Sequence, residues 1–174
     1  MQIRFPISEI PSLAGRYFLS SSEKEMKREA VIEMSIAHEV FLRGYYTKDE
    51  FEEVCFWKTP RTQPRVQTNS EEYIQVVTQT ALSSRNERLR IEVLTLLQGV
   101  SWPTASVLLH FGFKNQYPIL DFRALWSLGI EILPKYDFNF WWEYTGVCRE
   151  LAKVAGVSMR MLDRALWQYS KENG

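Results

Sequence analysis

The chain of 174 residues carries 21 lysines and arginines against 21 aspartates and glutamates, so its formal net charge is zero. This length predicts one domain, and the neutral balance provides no overall electrostatic attraction to nucleic acid. Two cysteines and two histidines argue against a disulfide scaffold, a four-cysteine iron–sulfur cluster and a metal centre. A reduced, cytoplasmic setting is expected.

No apolar run approaches the roughly 18 residues that cross a bilayer, and the N-terminal MQIRFPISEIPSLAG lacks the apolar core of a secretory signal. Neither membrane association nor secretion is therefore expected.

The first half of the chain predicts helices separated by caps and turns. Ser22 followed by Glu25 is a capping box, and the helix that it opens ends at Gly44. Thr47 with Glu50 opens a second, short helix in the same way. The proline-containing stretch TPRTQPRVQTNS, residues 59–70, predicts a loop whose last two residues, Asn69 and Ser70, can cap the next helix. In the first of these helices the residues that recur at helical spacing are Met26, Ala30, Met34, Ala37 and Phe41.

The second half is also helical. A helix beginning near Asn86 runs to a turn at Gly99, and Pro103 stands in the first turn of the next helix, where proline is tolerated. Asp121 begins a helix that Gly129 stops, and residues 138–156 form a long aromatic-rich helix. Ser158 caps the last helix, whose Asp163 and Arg164 indicate an ordinary amphipathic element. A short strand at Tyr117–Leu120 is the one alternative, so we predict a single all-α domain over residues 1–174.

The segment LLQGVSWPTASVLLHFGFKNQYPILDFRAL, residues 96–125, indicates a helix, a glycine-containing hairpin, a second helix, a connector and an aspartate at a helix start. It resembles the helix-hairpin-helix DNA glycosylase superfamily, which includes the endonuclease III and adenine glycosylase branches. The helix-hairpin-helix covers about residues 87–113, and the close match covers about Leu94–Leu128.

The resemblance is carried by the hairpin and by an aspartate in register with it. The family hairpin is typically Leu-Pro-Gly-hydrophobic-Gly, two variable residues and Thr-Ala, and this chain has Leu-Gln-Gly-Val-Ser, Trp-Pro and Thr-Ala over residues 97–105. Counted from Gly99, Asp121 falls at the position of the family's catalytic aspartate. The preceding Tyr-Pro-Ile-Leu is close to the lead-in of adenine glycosylases.

The resemblance implies a compact helical bundle with monofunctional DNA glycosylase activity, which flips out a base, hydrolyses its N-glycosidic bond and leaves an abasic site. Asp121 would stabilise the positive charge that develops on the sugar and orient or deprotonate the attacking water. Without the resemblance, Asp121 has an ordinary alternative role as a helix N-cap, and the chain would then be a DNA-binding protein without chemistry.

The implied partner is double-stranded DNA, contacted through its phosphates irrespective of sequence. Backbone N–H groups at the hairpin would bind a phosphate, and a Cβ at the glycine would keep the DNA backbone away. Trp57, Lys58 and Arg61 can contact DNA or can simply be a packed tryptophan beside solvated cations, and Arg123 can orient Asp121 or bind a phosphate. The protein is expected to be a monomer without a cofactor, with room for a monovalent cation at the hairpin. The residues assigned to DNA binding are Gly99, Val100, Ser101, Trp102, Thr104, Lys58, Arg61 and Arg123.

Three features depart from the family pattern. Bifunctional members carry a lysine just before Thr-Ala that forms a Schiff base with the sugar, whereas this chain has Pro103. Ser101 replaces the second hairpin glycine, and the iron–sulfur cysteines are absent. The chain is also short for the family.

A third interpretation is an all-α interaction protein whose hairpin is coincidental. Duplex binding that weakens with salt would exclude it, and base release would separate the two DNA-binding interpretations. The target base is not encoded in a recognisable motif. Most of a set of six large aromatic residues are expected in the core, namely Trp126, Phe138, Phe140, Trp141, Trp142 and Trp167.

Overall fold

The computed structural model describes residues 1–114, 116–132 and 134–174. Among these residues there are α-helices, short 3₁₀ turns and one π-helical segment at Ile32–Ile36, but no strand. Tyr117–Leu120 is accordingly not a strand, and the predicted all-α class is confirmed. The α-helices are α1 Ile10–Ser20, α2 Glu23–Val31, α3 Ala37–Arg43, α4 Lys48–Lys58, α5 Gln63–Val66, α6 Glu71–Ser83, α7 Glu87–Leu94, α8 Trp102–Gly112, α9 Phe122–Ser127, α10 Phe138–Ala155 and α11 Met159–Asn173.

The chain divides into two compact units. The hairpin unit is Lys27–Gln116, and the terminal unit combines Met1–Met26 with Tyr117–Gly174. Whether the two units fold as one domain over residues 1–174, as the sequence predicts, is not decided by this division, and the single domain stays a prediction.

The hairpin unit is built around α8. Every residue from Thr104 to Gly112 is buried, which is the pattern of a helix surrounded by others. Helices α3, α4, α6 and α7 pack against it. The buried Tyr46 hydroxyl donates to the Leu108 carbonyl at 2.8 Å, so that the segment between α3 and α4 is tied to the core helix.

The terminal unit is built around α11, which packs against α1, α9 and α10. Leu13 of α1 and Leu166 of α11 are fully buried. The same two helices are joined by Arg16 of α1, which makes two hydrogen bonds to the carboxylate of Glu172, near the end of α11, at 2.9 and 3.0 Å.

Most predicted helix starts are observed. Ser22 and Glu25 exchange the two hydrogen bonds of a capping box, and Thr47 and Glu50 form another. Side chains at Ser70, Asn86 and Ser158 cap α6, α7 and α11. These caps depend only on residues within one turn, which is why local sequence predicts them.

The predicted loop at residues 59–70 is partly wrong. It contains a 3₁₀ turn at Pro60–Thr62 and the one-turn helix α5. Pro60 and Pro64 each stand in a first helical turn, where the missing N–H removes no hydrogen bond. Prolines that suggested a loop therefore begin helical turns.

The helical spacing of Met34 and Phe41 does not mark the buried face, because these side chains are 80% and 45% exposed. Ile32, Ile36 and Val40 are buried instead. The π-helical segment Ile32–Ile36 lies within this stretch, and its wider turn shifts the side-chain register relative to an α-helix.

The expectation that most of the six large aromatics lie in the core is wrong. Trp141 is fully buried and stacks on Tyr117 at 5.8 Å, whereas Trp142 is 38% exposed and the other four are half-buried. Phe138 and Trp142, one turn apart on α10, stack on each other at 6.1 Å. These two rings on α10 are thus partly shielded from solvent by each other.

None of the helices in the described ranges combines the length and the apolar character needed to span a membrane.

Candidate functional site

The hairpin joins α7 to α8 in the hairpin unit. After α7 the chain turns over Thr95–Gly99, and the Val100 N–H donates to the Leu97 carbonyl at 3.1 Å. Ser101 is the N-cap of α8, and its carbonyl accepts the Ala105 N–H at 2.8 Å. The predicted helix, glycine-containing turn and second helix are therefore present.

Gly99 is required by the protein's own packing. Its φ of +81° is left-handed, a conformation that side chains other than glycine rarely adopt. A Cβ at this position would lie 2.7 Å from Val66 Cγ2 and 3.2 Å from the Thr62 carbonyl oxygen. Close contact with α5 and the residue before it is therefore one reason for glycine here, and room for a DNA backbone stays a prediction.

Asn69 braces the hairpin from the end of the same stretch. Its buried side chain accepts the Gln98 N–H at 2.8 Å and donates to the carbonyls of Gln98 at 3.0 Å and Val66 at 2.7 Å. The cap of α6 is Ser70 alone. The sequence predicts Asn69 as a cap because it lies just before a helix. Its actual partner, Gln98, lies 29 positions away and is outside any local pattern.

The N-terminus of α8 offers fewer donors than the family pattern implies. The Val100 N–H is occupied by Leu97, and Pro103 has no N–H. In the first turn, the N–H groups of Trp102 and Thr104 lack an intrahelical acceptor. Ser101 is exposed, and its hydroxyl makes no capping bond. These groups form the part of the hairpin able to meet a phosphate.

The side chains of Val100 and Thr104 are buried, unlike that of Ser101. Thr104 is 1% exposed, and its Oγ1 has no hydrogen-bond partner within the described ranges. An unpartnered buried hydroxyl in a first helical turn is unusual and marks this turn as a place where a further polar group would be stabilised.

Arg61 and Arg65 lie beside the hairpin, on the stretch that contacts Gly99. Arg61 and Arg65 are exposed, and neither guanidinium is in an ion pair with a described residue. Lys58 lies in the last turn of α4 and is half-buried. Trp57 packs edge-on against Phe111 at 5.6 Å, which favours the packing interpretation of this tryptophan. Arg65 was not among the residues predicted to bind DNA.

The carbonyl oxygens of Leu97 and Gln98 already accept hydrogen bonds from Val100 and Asn69. The monovalent cation at the hairpin stays a prediction. Among the described residues no three histidine, cysteine or carboxylate side chains cluster as metal ligands. Cys55 and Cys148 are free and buried, and burial raises the pKa of both thiols.

Asp121 lies in the terminal unit as the N-cap of α9. Its Oδ1 accepts the Arg123 N–H at 2.9 Å, so the capping role is observed. The carboxylate is half-buried and lies at the positive end of the helix. The arrangement holds a charged oxygen in a defined position near the surface.

The Arg123 side chain does not orient this carboxylate. Its guanidinium lies over the rings of Phe122 and Trp167, at 5.2 and 5.3 Å, and makes no ion pair with any residue in the described part of the chain. Only its backbone N–H reaches Asp121. A phosphate contact remains the predicted role for this side chain.

Three residues were not predicted as part of the region around Asp121: Tyr144, Asp163 and Tyr136. The connector residue Ile119 donates its N–H to Asp163 Oδ1 at 3.2 Å and accepts the Tyr144 hydroxyl at 2.7 Å. Asp163 is 5% exposed, so this residue of the amphipathic helix α11 lies on the buried face of the helix. The third residue is Tyr136, whose pKa is raised first by burial and second by the charge of Asp121, which places the phenol in the electrostatic neighbourhood of that carboxylate.

The predicted residues fall into two groups. Two belong to the terminal unit, Asp121 and Arg123. The others belong to the hairpin unit, namely Lys58, Arg61, Gly99–Trp102 and Thr104.

Comparison with known proteins bears on the fold. No protein-family model matches the chain, and no curated protein matches its sequence. Among solved structures, it is similar to the crystal structure of Methanocaldococcus jannaschii 8-oxoguanine glycosylase/lyase in complex with a 15mer DNA containing 8-oxoguanine. The TM-score is 0.51 at 16% identity, covering 96% of this chain and 90% of that one.

This similarity spans nearly the whole of both chains, so the protein is not short beside this glycosylase. It confirms the predicted fold class, a helical bundle of the helix-hairpin-helix DNA glycosylase type. The resemblance found in the sequence is thereby supported at the level of the fold.

Proposed function

We propose that this protein is a monofunctional DNA glycosylase, which binds duplex DNA and hydrolyses the N-glycosidic bond of a flipped-out damaged or modified base. The observation that carries the proposal is Asp121. It lies in register with the hairpin in the sequence and caps a helix, in a chain whose fold is that of a DNA glycosylase.

Asp121 would act as the charged group opposite the sugar. Bond cleavage builds positive charge at the anomeric carbon, and a fixed carboxylate stabilises that charge and can orient or deprotonate the attacking water. The capping bond from the Arg123 N–H fixes the position of the Asp121 side chain at the start of α9. The cap and the catalytic role are therefore compatible in one side chain.

The hairpin would hold the DNA backbone. Ser101, the N–H groups of Trp102 and Thr104, and the guanidinium of Arg61, which pairs with no acidic side chain in the described ranges, support contacts to phosphates. Such contacts position the duplex and do not read its sequence. The monomeric state and the cytoplasmic location stay predictions.

Hydrolysis, not strand cleavage, is expected. The amine that attacks the sugar in bifunctional enzymes would stand at Pro103, which has no nucleophilic group. This separates the proposal from the glycosylase/lyase activity named for the M. jannaschii protein.

The test is a panel of duplexes, each carrying one modified base, with abasic sites revealed by alkali. The panel begins with 8-oxoguanine, present in the DNA of the M. jannaschii complex, and continues with uracil, hypoxanthine and alkylated purines. The protein should release at least one of these bases, and Asp121→Asn should reduce release by orders of magnitude because the amide cannot balance an oxocarbenium ion. Asparagine caps about as well as aspartate, so folding should be retained.

Duplex binding without release of any base would favour the second candidate, a DNA-binding protein in which Asp121 only caps α9. The reduced number of donors at the α8 N-terminus, with Pro103 lacking an N–H, is the observation that keeps this candidate in view. Absence of duplex binding at low salt would exclude both.

A further inference from the structure

The connector Tyr117–Leu120, which leads directly into Asp121, is held at one residue from two sides. The Ile119 N–H donates to Asp163 Oδ1 at 3.2 Å, and the Ile119 carbonyl accepts the Tyr144 hydroxyl at 2.7 Å. Both bonds are buried. The backbone two residues before Asp121 is thus attached to α11 through Asp163 and to α10 through Tyr144.

We infer that Asp163 and Tyr144 are positioning residues for Asp121, which fix the connector and thereby place the Asp121 carboxylate against the sugar of the flipped nucleotide. The inference rests on the proposed function, since positioning matters only if Asp121 acts in the reaction. Neither residue is assigned a contact with DNA.

The burial of the two side chains supports a specific role. Tyr144 is fully buried and Asp163 is 5% exposed. A carboxylate in a protein interior is costly unless it is well hydrogen-bonded, and an amphipathic helix needs none on its buried face. Arg160, one turn earlier on α11, is also only 6% exposed. Of these two polar side chains, Asp163 bonds the connector, at Ile119.

The two restraints act on opposite sides of Asp121. Upstream, Ile119 is held by α10 and α11, and downstream the Asp121 side chain is bonded to the Arg123 N–H of α9. A catalytic group must be held closely, because a misplacement of about 1 Å can cost roughly 100-fold in rate. Loss of the upstream restraint should therefore lower the rate of the chemical step.

The principal experiment is Tyr144→Phe, which deletes one hydroxyl and keeps the ring. It is assayed under single-turnover conditions on whichever panel duplex the unmodified protein cleaves. The rate constant at saturating protein should fall at least about 10-fold, while the protein concentration for half-saturation and the reaction amplitude stay unchanged. A role confined to stability would instead lower the amplitude, because part of the protein would be unfolded, and leave the rate constant intact.

Tyr169→Phe is the matched control. The Tyr169 hydroxyl also donates to a backbone carbonyl, that of Arg4 at 3.2 Å, and Tyr169 likewise lies in the terminal unit. Its hydrogen bond goes to Arg4 and its ring contacts go to Phe5 and Trp126, so loss of its hydroxyl should leave the rate constant of base release unchanged.

Substitutions of Asp163 test the other bond and provide a readout independent of activity. Asp163→Ala should speed hydrogen exchange at the Ile119 amide, whereas Asp163→Asn retains an acceptor oxygen and should preserve much of both the protection and the rate. If the alanine variant does not fold, the asparagine variant and Tyr144→Phe decide the question.

A double variant separates action through Asp121 from other effects. In an Asp121→Asn background, Tyr144→Phe should cause no further loss of rate, because both changes remove the same contribution. Full additivity, or an unchanged rate constant in active Tyr144→Phe and Asp163→Ala proteins, would overturn the inference and leave the proposed function standing. No base release by the unmodified protein would overturn both.

Discussion

The side-chain amide of Asn69 holds the backbone of Gln98 through two hydrogen bonds. Its Oδ1 accepts the Gln98 N–H at 2.8 Å, and its Nδ2 donates to the Gln98 carbonyl at 3.0 Å. The residue just before the hairpin glycine is thereby fixed to the end of the stretch that contacts that glycine. The conformation of the hairpin is set by contacts far away in the sequence.

Asn69→Ala should destabilise the protein. It removes two part-buried hydrogen bonds to Gln98 and a buried one to the Val66 carbonyl, and a hydrogen bond contributes about 0.5–1.5 kcal/mol, so we expect a loss of roughly 1–3 kcal/mol in the free energy of unfolding. Urea unfolding measures it. Gln67→Ala, at an exposed site on the same stretch, should change it by less than about 0.5 kcal/mol. Equal stabilities of the two variants would show that the brace contributes nothing.

Local patterns predicted much of this fold and little of its tertiary detail. The caps at Thr47, Ser70 and Asn86 were predictable because donor and acceptor lie within one turn. The contact between Gly99 and Val66 was not, since it joins distant segments. The sequence predicts Gly99 as a phosphate contact, whereas its close packing against Val66 is a reason for glycine that only the structure shows.

The candidate catalytic region divides in the same way. Asp121 was predictable both as a helix start and from its register with the hairpin. Asp163 was not, because its partner Ile119 lies 44 positions away, and an aspartate on an amphipathic helix is usually solvated. Tyr144 stood in a run of aromatic residues in which no spacing separated the buried from the exposed rings.

Substitution of Ser101 should change duplex affinity without reducing stability. Its exposed hydroxyl makes no capping bond, so Ser101→Ala should change the free energy of unfolding by less than about 0.5 kcal/mol. Ser101→Glu brings a negative charge to the α8 N-terminus, which suits the helix dipole but repels a phosphate. Affinity measured by fluorescence anisotropy at low salt should therefore fall at least about 10-fold for Ser101→Glu.

Gln79→Glu is the control for that charge, because Gln79 is exposed on α6 in the same unit. Equal affinities of the Ser101→Glu and Gln79→Glu variants would remove the hairpin from the DNA interface. Gly99 is a poor site for this test, since a side chain there would collide with Val66 and disturb the turn itself.

Arg65 should contribute to duplex binding alongside Arg61. Both guanidiniums are exposed and form no ion pair with described residues, and their stretch contacts Gly99. If each contacts one phosphate, Arg61→Gln and Arg65→Gln should each reduce the slope of log affinity against log salt by about one unit, for any duplex sequence.

Arg85→Gln is the matched control for both arginines. Arg85 is also exposed and outside any ion pair with described residues, but it precedes α7, whereas the hairpin follows it. Its loss should leave the salt slope nearly unchanged. A slope that changes equally in all three variants would indicate a diffuse effect of net charge and no local contact.

The reaction products distinguish hydrolysis from lyase chemistry. With Pro103 at the position of the bifunctional lysine, the unmodified protein should leave intact strands containing abasic sites that break only in alkali or on heating. A Schiff base needs a neutral amine attacking the anomeric carbon, and none is present at that position. Borohydride added during the reaction should therefore trap no covalent complex. Trapping would contradict this expectation and identify another amine as the nucleophile. Mass spectrometry of the trapped peptide would locate it, with Asp121→Asn as the control showing whether trapping depends on the proposed catalytic carboxylate.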